Sequence, residues 1–226
     1  MFRIILNTYF YIYNIIIMKT INSFISEKLK ITKKMLDNQH EYVDLGLPSG
    51  TLWATCNVGA KTEAECGDYF AWGETKPKME YTWVTYKFGK VNNLTKYNDE
   101  DKLTKIEPED DAAHVNMGGE WCIPTEEQFK ELKKHTKHKW FENYNDTGKS
   151  GVLFTGSNGN TIFLPANGFM MNKKVFDKGT FGYYYTSNIS DETSKSITFN
   201  IDAYNIGYVS SEVRFYGQNI RGVLKK

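Results

Sequence analysis

VDLGLPSGTLWATCNVGA, from Val43 to Ala60, and GDYFAWGE, from Gly67 to Glu74, are the segments of this 226-residue chain from which its fold can best be predicted. In both stretches glycines separate short apolar segments, which is expected where a backbone turns or passes close to itself. Large aromatic side chains stand between the glycines and are predicted to fill a core. The residues in question are Gly46, Gly50, Gly59, Gly67 and Gly73, with Trp53, Tyr69, Phe70 and Trp72.

Further along, the sequence alternates short strands with turns. Gly151–Thr155 and Thr161–Leu164 flank Ser157-Asn158-Gly159-Asn160, in which Asn-Gly is a strong hairpin signal. Other strands are predicted at Gly182–Ser187, Ser196–Ile201, Val213–Tyr216 and Ile220–Leu224.

One helix is predicted after Pro124. Thr125 and Gln128 have the spacing of a capping box, and Phe129 and Leu132 supply an apolar stripe. Basic residues at 133–135 suit the negative end of the helix dipole, and we interpret the nearby His138 as part of the same helix end.

Five segments resemble a known family. They are VDLGLPSGTLWATCNVGA, GDYFAWGE, DAAHVNMGGEWCIPTEEQFKEL (Asp111–Leu132), GNTIFLPANG (Gly159–Gly168) and GYYYTS (Gly182–Ser187). In this order they resemble the Fibrobacter succinogenes major paralogous domain, which is common in gut bacteria and their phages and is placed with C-type-lectin-like folds. The resemblance covers nearly all of Tyr42 to Val223. It implies an α+β domain with a twisted antiparallel sheet and neighbouring termini, used for display and binding. Cys122 stands where the family often has arginine, so a salt bridge made by that arginine is absent here.

The composition limits the classes of function. Hydrophobic residues make up 40% of the chain and charged residues 24%, with a mean hydropathy of -0.53, which predicts a folded domain and no stable membrane span. The net charge of +1 provides no field for a polyanion, so nucleic acid is not expected as a partner. The high aromatic content, 15%, suits strands as well as contact surfaces.

The three cysteines, Cys56, Cys66 and Cys122, are odd in number and lack the paired spacing of a zinc site. A disulfide framework is not expected. Two interpretations remain for Cys56 and Cys66, which are one bridge in an oxidising compartment or small free thiols inside the domain.

The N-terminal region divides into two segments ahead of the domain at 42–226. Residues 1–17 are apolar but are interrupted by asparagines and are too short for a span, so we interpret them as a mis-called extension before Met18 or as an apolar leader. Residues 18–41 comprise an amphipathic segment and a linker. Its apolar face either packs on its own domain or docks on a virion or capsid protein through residues 20–34. The segment resembles the capsid-targeting leaders of large tailed phages, with Ile25-Ser26-Glu27 as the cleavage site that the resemblance implies.

The sequence contains few of the motifs that indicate a metal site or an enzyme. The Glu-Pro-Asn, Gln-Pro-Asp and Trp-Asn-Asp triplets of calcium-dependent lectins are missing. The acidic run Glu107–Asp111 is either a weak calcium site or a solvated loop, and we predict no metal and no cofactor. Formylglycine-generating enzymes share the broad fold but use reactive cysteines late in the chain, whereas the last cysteine here is Cys122.

The ligand site is predicted between Ala203 and Asn219, because the C-terminal strands of related lectin-like proteins form the face that meets the ligand. Tyrosines mixed with small polar residues are typical of paratopes. The alternative is a set of ordinary polar loops with the tyrosines in the core. The predicted ligand-binding residues are Tyr204, Asn205, Tyr208, Ser210, Ser211, Glu212, Tyr216 and Asn219.

These observations favour a non-enzymatic module that binds or displays a glycan or a surface protein ligand. The resemblance places it on a virion or a bacterial cell surface, and in the cytoplasm before assembly if a phage encodes it. A structural virion component and an enzyme of the formylglycine-generating type are the alternatives.

Overall fold

The computed structural model describes residues 17–23, 25 and 40–224. The chain divides into two compact units, residues 1–39 and residues 40–226. In the first unit, residues 17–23 and 25 are helical, and Met18, Ile21 and Ile25 are exposed. Most of the predicted docking segment, residues 20–34, lies outside the described residues. Within the ranges that are described, no helix has the length and apolar character to cross a bilayer.

The second unit is rich in antiparallel sheet and has few helices, which gives it an α+β character. Its described strands are β1 (Tyr42–Asp44), β2 (Leu52–Ala54), β3 (Gly89–Lys90), β4 (Asn93–Leu94), β5 (Lys137–Phe141), β6 (Gly151–Thr155), β7 (Thr161–Pro165), β8 (Phe169–Met171), β9 (Lys174–Phe176), β10 (Phe181–Ile189), β11 (Lys195–Asp202), β12 (Ile206–Val213) and β13 (Val223–Leu224). The α-helices are α1 (Ala112–Met117) and α2 (Glu126–His135), and single 3₁₀ turns occur at Pro108–Asp110 and Tyr144–Asp146.

The strands form small sheets in which every ladder is antiparallel. Three sheets have three strands, in the orders β1-β2-β13, β5-β6-β7 and β10-β11-β12, and the pairs β3-β4 and β8-β9 are two-stranded. Strands β1 and β13 both pair with β2, so the two ends of the described part of this unit meet in one sheet.

Helix α2 forms as the sequence predicts. The Thr125 hydroxyl accepts from the Gln128 amide, and the Gln128 side chain accepts from the Thr125 amide at 2.8 Å, which completes the capping box. Phe129 and Leu132 are fully buried. The Phe129 ring lies between Trp53 of β2, at 5.1 Å, and Phe199 of β11, at 4.5 Å, so the helix links two sheets.

The glycine and aromatic pattern of the first strands also has its predicted structural role. Trp53, Phe70 and Trp72 are at most 1% exposed, and Tyr69 is half-buried. The five glycines of these segments, Gly46, Gly50, Gly59, Gly67 and Gly73, all have positive φ. At Gly67 a Cβ atom would stand 2.4 Å from the Val58 carbonyl oxygen, so the close passage of two backbones requires glycine there.

Two predicted strands near the C-terminus are wrong in extent. Of the predicted strand Val213–Tyr216, only Val213 lies in a strand, because β12 ends there. The buried Arg214 side chain donates to the carbonyls of Lys195 and Tyr97, and the chain turns at this point. Only Val223–Leu224 of the predicted Ile220–Leu224 strand is formed, since the buried Arg221 guanidinium donates to carbonyls of the 54–55 segment and of Phe163.

His138 is a further correction. It lies in β5 rather than at the end of α2, because the helix ends at His135 and Thr136 has an extended backbone.

Candidate ligand-binding face

One face of the sheet β10-β11-β12 packs on the hydrophobic cluster of Phe199 and Ile201, and the other carries polar and aromatic side chains, of which Tyr185 is fully buried in a second cluster. On central strand β11, Phe199 and Ile201 belong to the core, and the alternation of side chains directs Thr198 and Asn200 to the other face. The β11–β12 register then brings Tyr208, Ser210 and Glu212 to that same side. We name this surface the tyrosine face and define it by its half-buried residues Tyr183, Tyr208, Ser210, Glu212 and Tyr216.

The floor of the tyrosine face is a short hydrogen-bonded chain of polar groups. The side-chain Nδ2 of the buried Asn200 donates to the Ser210 hydroxyl at 2.6 Å, and the Thr198 hydroxyl donates to the Asn200 side-chain Oδ1 at 3.0 Å. Ser210 in turn donates to the Glu212 carboxylate at 3.3 Å. Because Asn200 is 1% exposed, its bonds fix the position of Ser210 at the edge strand.

Glu212 supplies the carboxylate of the tyrosine face. Burial raises the pKa of its carboxyl, against the hydrogen bond from Ser210 and the charge of Lys195. The pKa values of Tyr183, Tyr208 and Tyr216 are also raised, by burial first and by the charge of Glu212 among the further causes. One carboxylate therefore contributes to the raised pKa values of three tyrosine hydroxyls.

Tyr216 reaches this face because the chain is held after β12. Arg214, fully buried, lies 4.9 Å from the Trp72 ring and donates to two carbonyls, with the Tyr97 carbonyl at 2.8 Å. The Tyr185 hydroxyl donates to the Tyr216 carbonyl at 2.8 Å. These buried contacts fix the backbone on both sides of the turn and so determine where the Tyr216 ring lies.

The other predicted site residues lie in three different places. Tyr204 and Asn205 are in the β11–β12 turn, where both amides donate to Asp202 at 2.7 Å, and the Tyr204 side chain is fully exposed. Ser211 is exposed but points to the opposite side of β12 from Ser210, since side chains alternate along the strand.

Asn219 is buried, so the structure does not support its predicted place on an exposed face. It is 0% exposed, and its side-chain Nδ2 donates to the backbone carbonyls of Cys66, at 3.0 Å, and Asp68, at 3.1 Å. Its role is to hold the 66–68 loop.

Tyr183 lies on the tyrosine face but is not among the predicted ligand-binding residues. The alternation within the predicted strand Gly182–Ser187 was the available signal, because neighbouring tyrosines in a strand point to opposite faces.

The acidic run is neutralised by lysines. Lys96 forms ion pairs with Glu107, Glu109 and Asp110 at 2.5, 3.2 and 2.6 Å, and Lys87 lies 2.5 Å from Asp110. Lys87 and Lys96 hold the pKa of the Asp110 carboxyl below its usual value although burial opposes this. Among the described residues, this is the only cluster in which three side chains that could bind a metal ion lie close together. Their pairing with lysines favours an ion-paired loop.

Asp111 and the cysteines have structural contacts. The Asp111 carboxylate caps α1 at the His114 amide and accepts from the Ile123 amide at 2.8 Å. Cys56 and Cys66 are not joined by a disulfide, so the interpretation with a Cys56–Cys66 bridge is not the one that the structure shows. The Cys122 thiol lies 3.8 Å from the Val223 carbonyl oxygen.

Comparison with protein-family models, curated proteins and solved structures gave no match for this chain.

Proposed function

We propose that this protein is a non-enzymatic ligand-binding and display module that recognises a glycan or a surface protein through the tyrosine face. The observation that carries the proposal is that Tyr208, Ser210 and Glu212 share one side of β12 and are half-buried there, with Ser210 hydrogen-bonded to Glu212. Rigid aromatic area next to small hydrogen-bonding groups gives a binding surface at a low entropic cost. Tyr204 and Asn205 belong to the proposed site as its exposed rim.

We further propose a C-type-lectin-like fold for residues 42–226. The pairing of β1 and β13 with the same strand, the sheet-rich α+β composition and the single long helix α2 support it. The segments that resemble the Fibrobacter succinogenes major paralogous domain include β2, α2 and β7, which all contribute to the core. By the same resemblance, we propose a virion or a bacterial cell surface as the place where the module acts.

The positions of the three cysteines agree with a binding role. None of the three cysteines belongs to the tyrosine face, and Cys66 lies beside the buried Asn219. The face itself offers hydroxyl groups, aromatic rings and a single glutamate. Such groups orient a ligand, whereas a thiol enzyme needs an accessible activated sulfur.

The proposal is tested by changing Tyr208 and Tyr216 to Ala, one at a time, and measuring binding to whole gut-bacterial cells and to an array of glycans. Each variant is expected to lose roughly 1–3 kcal/mol of binding free energy while its melting temperature changes little, as for an aromatic residue at the centre of an interface. Tyr42→Ala is the matched control, because Tyr42 is an exposed tyrosine on β1.

Unchanged binding in both face variants would refute the site. Co-purification with virions, without binding to any cell or glycan, would instead support a structural virion component, and turnover that depends on a cysteine would support the enzyme alternative.

A further inference from the structure

The two outer edges of the sheet β10-β11-β12 differ in how their backbone groups are paired. On the β10 edge, the backbone of Asn219 bonds to the backbones of Tyr183 and Tyr185, at 3.2 Å each. The Ser187 amide of the same edge donates to the Pro124 carbonyl at 2.8 Å. Beside β12, in contrast, no further strand is hydrogen-bonded in the part of the chain that the structure describes. An edge strand of eight residues offers a template on which another strand can pair.

The hydrogen bonds of β11 show which backbone groups of β12 point outward. The Arg214 amide donates to the Ser194 carbonyl, so residues 208, 210 and 212, in step with Arg214, exchange their ladder bonds with β11. The alternate residues Val209 and Ser211 therefore direct their amides and carbonyls away from β11. None of these outward groups has a hydrogen-bond partner among residues 17–23, 25 and 40–224.

The neighbouring sheet does not cover this edge. Phe154 of β6 contacts Phe199 of β11 at 6.4 Å, which places the sheet β5-β6-β7 against the side of β10-β11-β12 that carries Phe199. Trp140 of β5 and Val209 of β12 pack on that same hydrophobic cluster, so β5 approaches β12 from beneath. The sequence of β12 also contains no lysine and no proline, the residues that commonly protect an edge strand from pairing.

We infer that the edge of β12 pairs with the same edge of a second copy of this chain, antiparallel, about a twofold axis at Ser210. In this register Val209 lies opposite Ser211 of the second copy, and their outward amides and carbonyls bond to each other. The twofold axis repeats the same bonds on its other side, as in any symmetric dimer.

The two neighbouring registers fit less well. An axis one residue further along the strand would need the Val213 carbonyl, which already accepts from the Tyr216 amide at 3.1 Å. An axis one residue earlier would draw in Gly207, where the β11–β12 register shifts and φ is 75°. The axis at Ser210 uses only outward groups that have no partner within the described ranges.

The side chains complement one another in this register. Tyr208 lies opposite Glu212 of the second copy, so a phenol that can donate stands beside a carboxylate that accepts. Ser210 faces Ser210 of the second copy, and the two Glu212 carboxylates lie at opposite ends of the pairing. No like charges therefore face each other across the axis.

The pairing has a consequence for the tyrosine face. It joins two three-stranded sheets into one continuous sheet, and because the twofold axis is perpendicular to that sheet, both tyrosine faces lie on the same side. Two faces on one side can engage a repeated ligand on a cell surface together, which raises the overall affinity without a new contact to the ligand. The inference concerns the partner at the sheet edge and does not depend on which ligand the face binds.

Disulfide trapping with the full chain tests the register. Ser210→Cys places two thiols opposite each other across the axis, where facing Cβ atoms are about 4.5–5.5 Å apart, and oxidised glutathione should link them into a covalent dimer. Ser211→Cys is the matched control, because the strand spacings put its Cα atom about 8–9 Å from that of its copy, too far for a disulfide. The wild type reports any linkage through the native cysteines. Equal linkage of the two variants, or linkage of neither, would overturn the inference.

Analytical ultracentrifugation of the full chain measures the dimer itself. The wild type should shift from monomer to dimer as its concentration rises, and Ser211→Pro should raise the dissociation constant at least tenfold, because proline has no amide to donate outward. Tyr208→Glu and Tyr208→Lys form a second, charge-matched pair. Glutamate opposite Glu212 of the second copy should weaken the dimer, whereas lysine there should preserve or strengthen it.

Two results of the ultracentrifugation would overturn the inference. A wild type that stays monomeric up to its solubility limit would do so, and would leave a strand from a different protein as the occupant of the edge. A dimer that is weakened by neither Ser211→Pro nor Tyr208→Glu would do so as well, because its contact would lie on another surface.

Discussion

Phe129 packs on the core side of the sheet that carries the tyrosine face, so replacing it with alanine tests how helix α2 holds that sheet. The ring is fully buried and lies between Trp53 and Phe199, and Phe199 shares strand β11 with Asn200 of the polar floor. A buried Phe→Ala change typically costs about 3–5 kcal/mol. Because two aromatic pairs are lost, each worth about 0.5–1.5 kcal/mol, we expect Phe129→Ala to fall near the upper end, at about 4–5 kcal/mol.

This loss is measured by urea unfolding monitored through tryptophan fluorescence. The midpoint should fall while the dependence of the free energy on urea stays the same, and the melting temperature should drop by roughly 10–15 °C, at about 2–4 °C per kcal/mol for a domain of this size. Phe129→Leu keeps most of the volume and should cost less than about 1.5–2 kcal/mol. A loss below about 2 kcal/mol for Phe129→Ala would refute the claim that α2 links the two sheets through this ring.

Three further perturbations test the electrostatics and the backbone. Because burial raises the folded-state pKa of Glu212, wild-type stability should decrease as pH rises from the unfolded value through the raised one, and Glu212→Gln should remove that decrease in melts recorded across pH. Calcium should leave the melting temperature unchanged, since Lys96 already pairs with the acidic run, whereas a rise in wild type that grows with calcium concentration would contradict the ion-paired arrangement. Gly67→Ala should greatly lower the soluble folded yield, because its Cβ atom would meet the Val58 carbonyl oxygen at 2.4 Å, while Gly159→Ala, with no atom within 4 Å, should cost only the strain of its positive φ.

Local signals made helix α2 and the β6–β7 hairpin predictable. The capping box acts within four residues, and the Asn-Gly turn fixes the register of the two strands that flank it. The glycine and tryptophan pattern near Trp53 and Gly67 was equally informative, because a positive φ beside a fully buried ring leaves few alternatives.

The wrong predictions for the end of β12 and for Asn219 resulted from contacts between residues far apart in the sequence. Arg214 ends β12 by bonding to the Tyr97 carbonyl, more than a hundred residues away, and Asn219 is buried because its amide holds the 66–68 loop. Composition alone could not separate Ser210 from Ser211, which are neighbours of the same type on opposite faces. That distinction depends on which face of β11 packs against α2, and thus on Phe199 and Phe129.

The alternation of side chains along β12 also allows a test of whether the tyrosine face contacts the ligand. A tryptophan is placed at Glu212, on the face, or at the adjacent Ser211, on the opposite side of β12, and binding to cells is measured for both variants at equal folded concentration. Glu212→Trp should abolish binding by covering the face, and Ser211→Trp should bind like the wild type. Loss of binding in Ser211→Trp, with binding kept in Glu212→Trp, would show that the ligand does not bind at the tyrosine face.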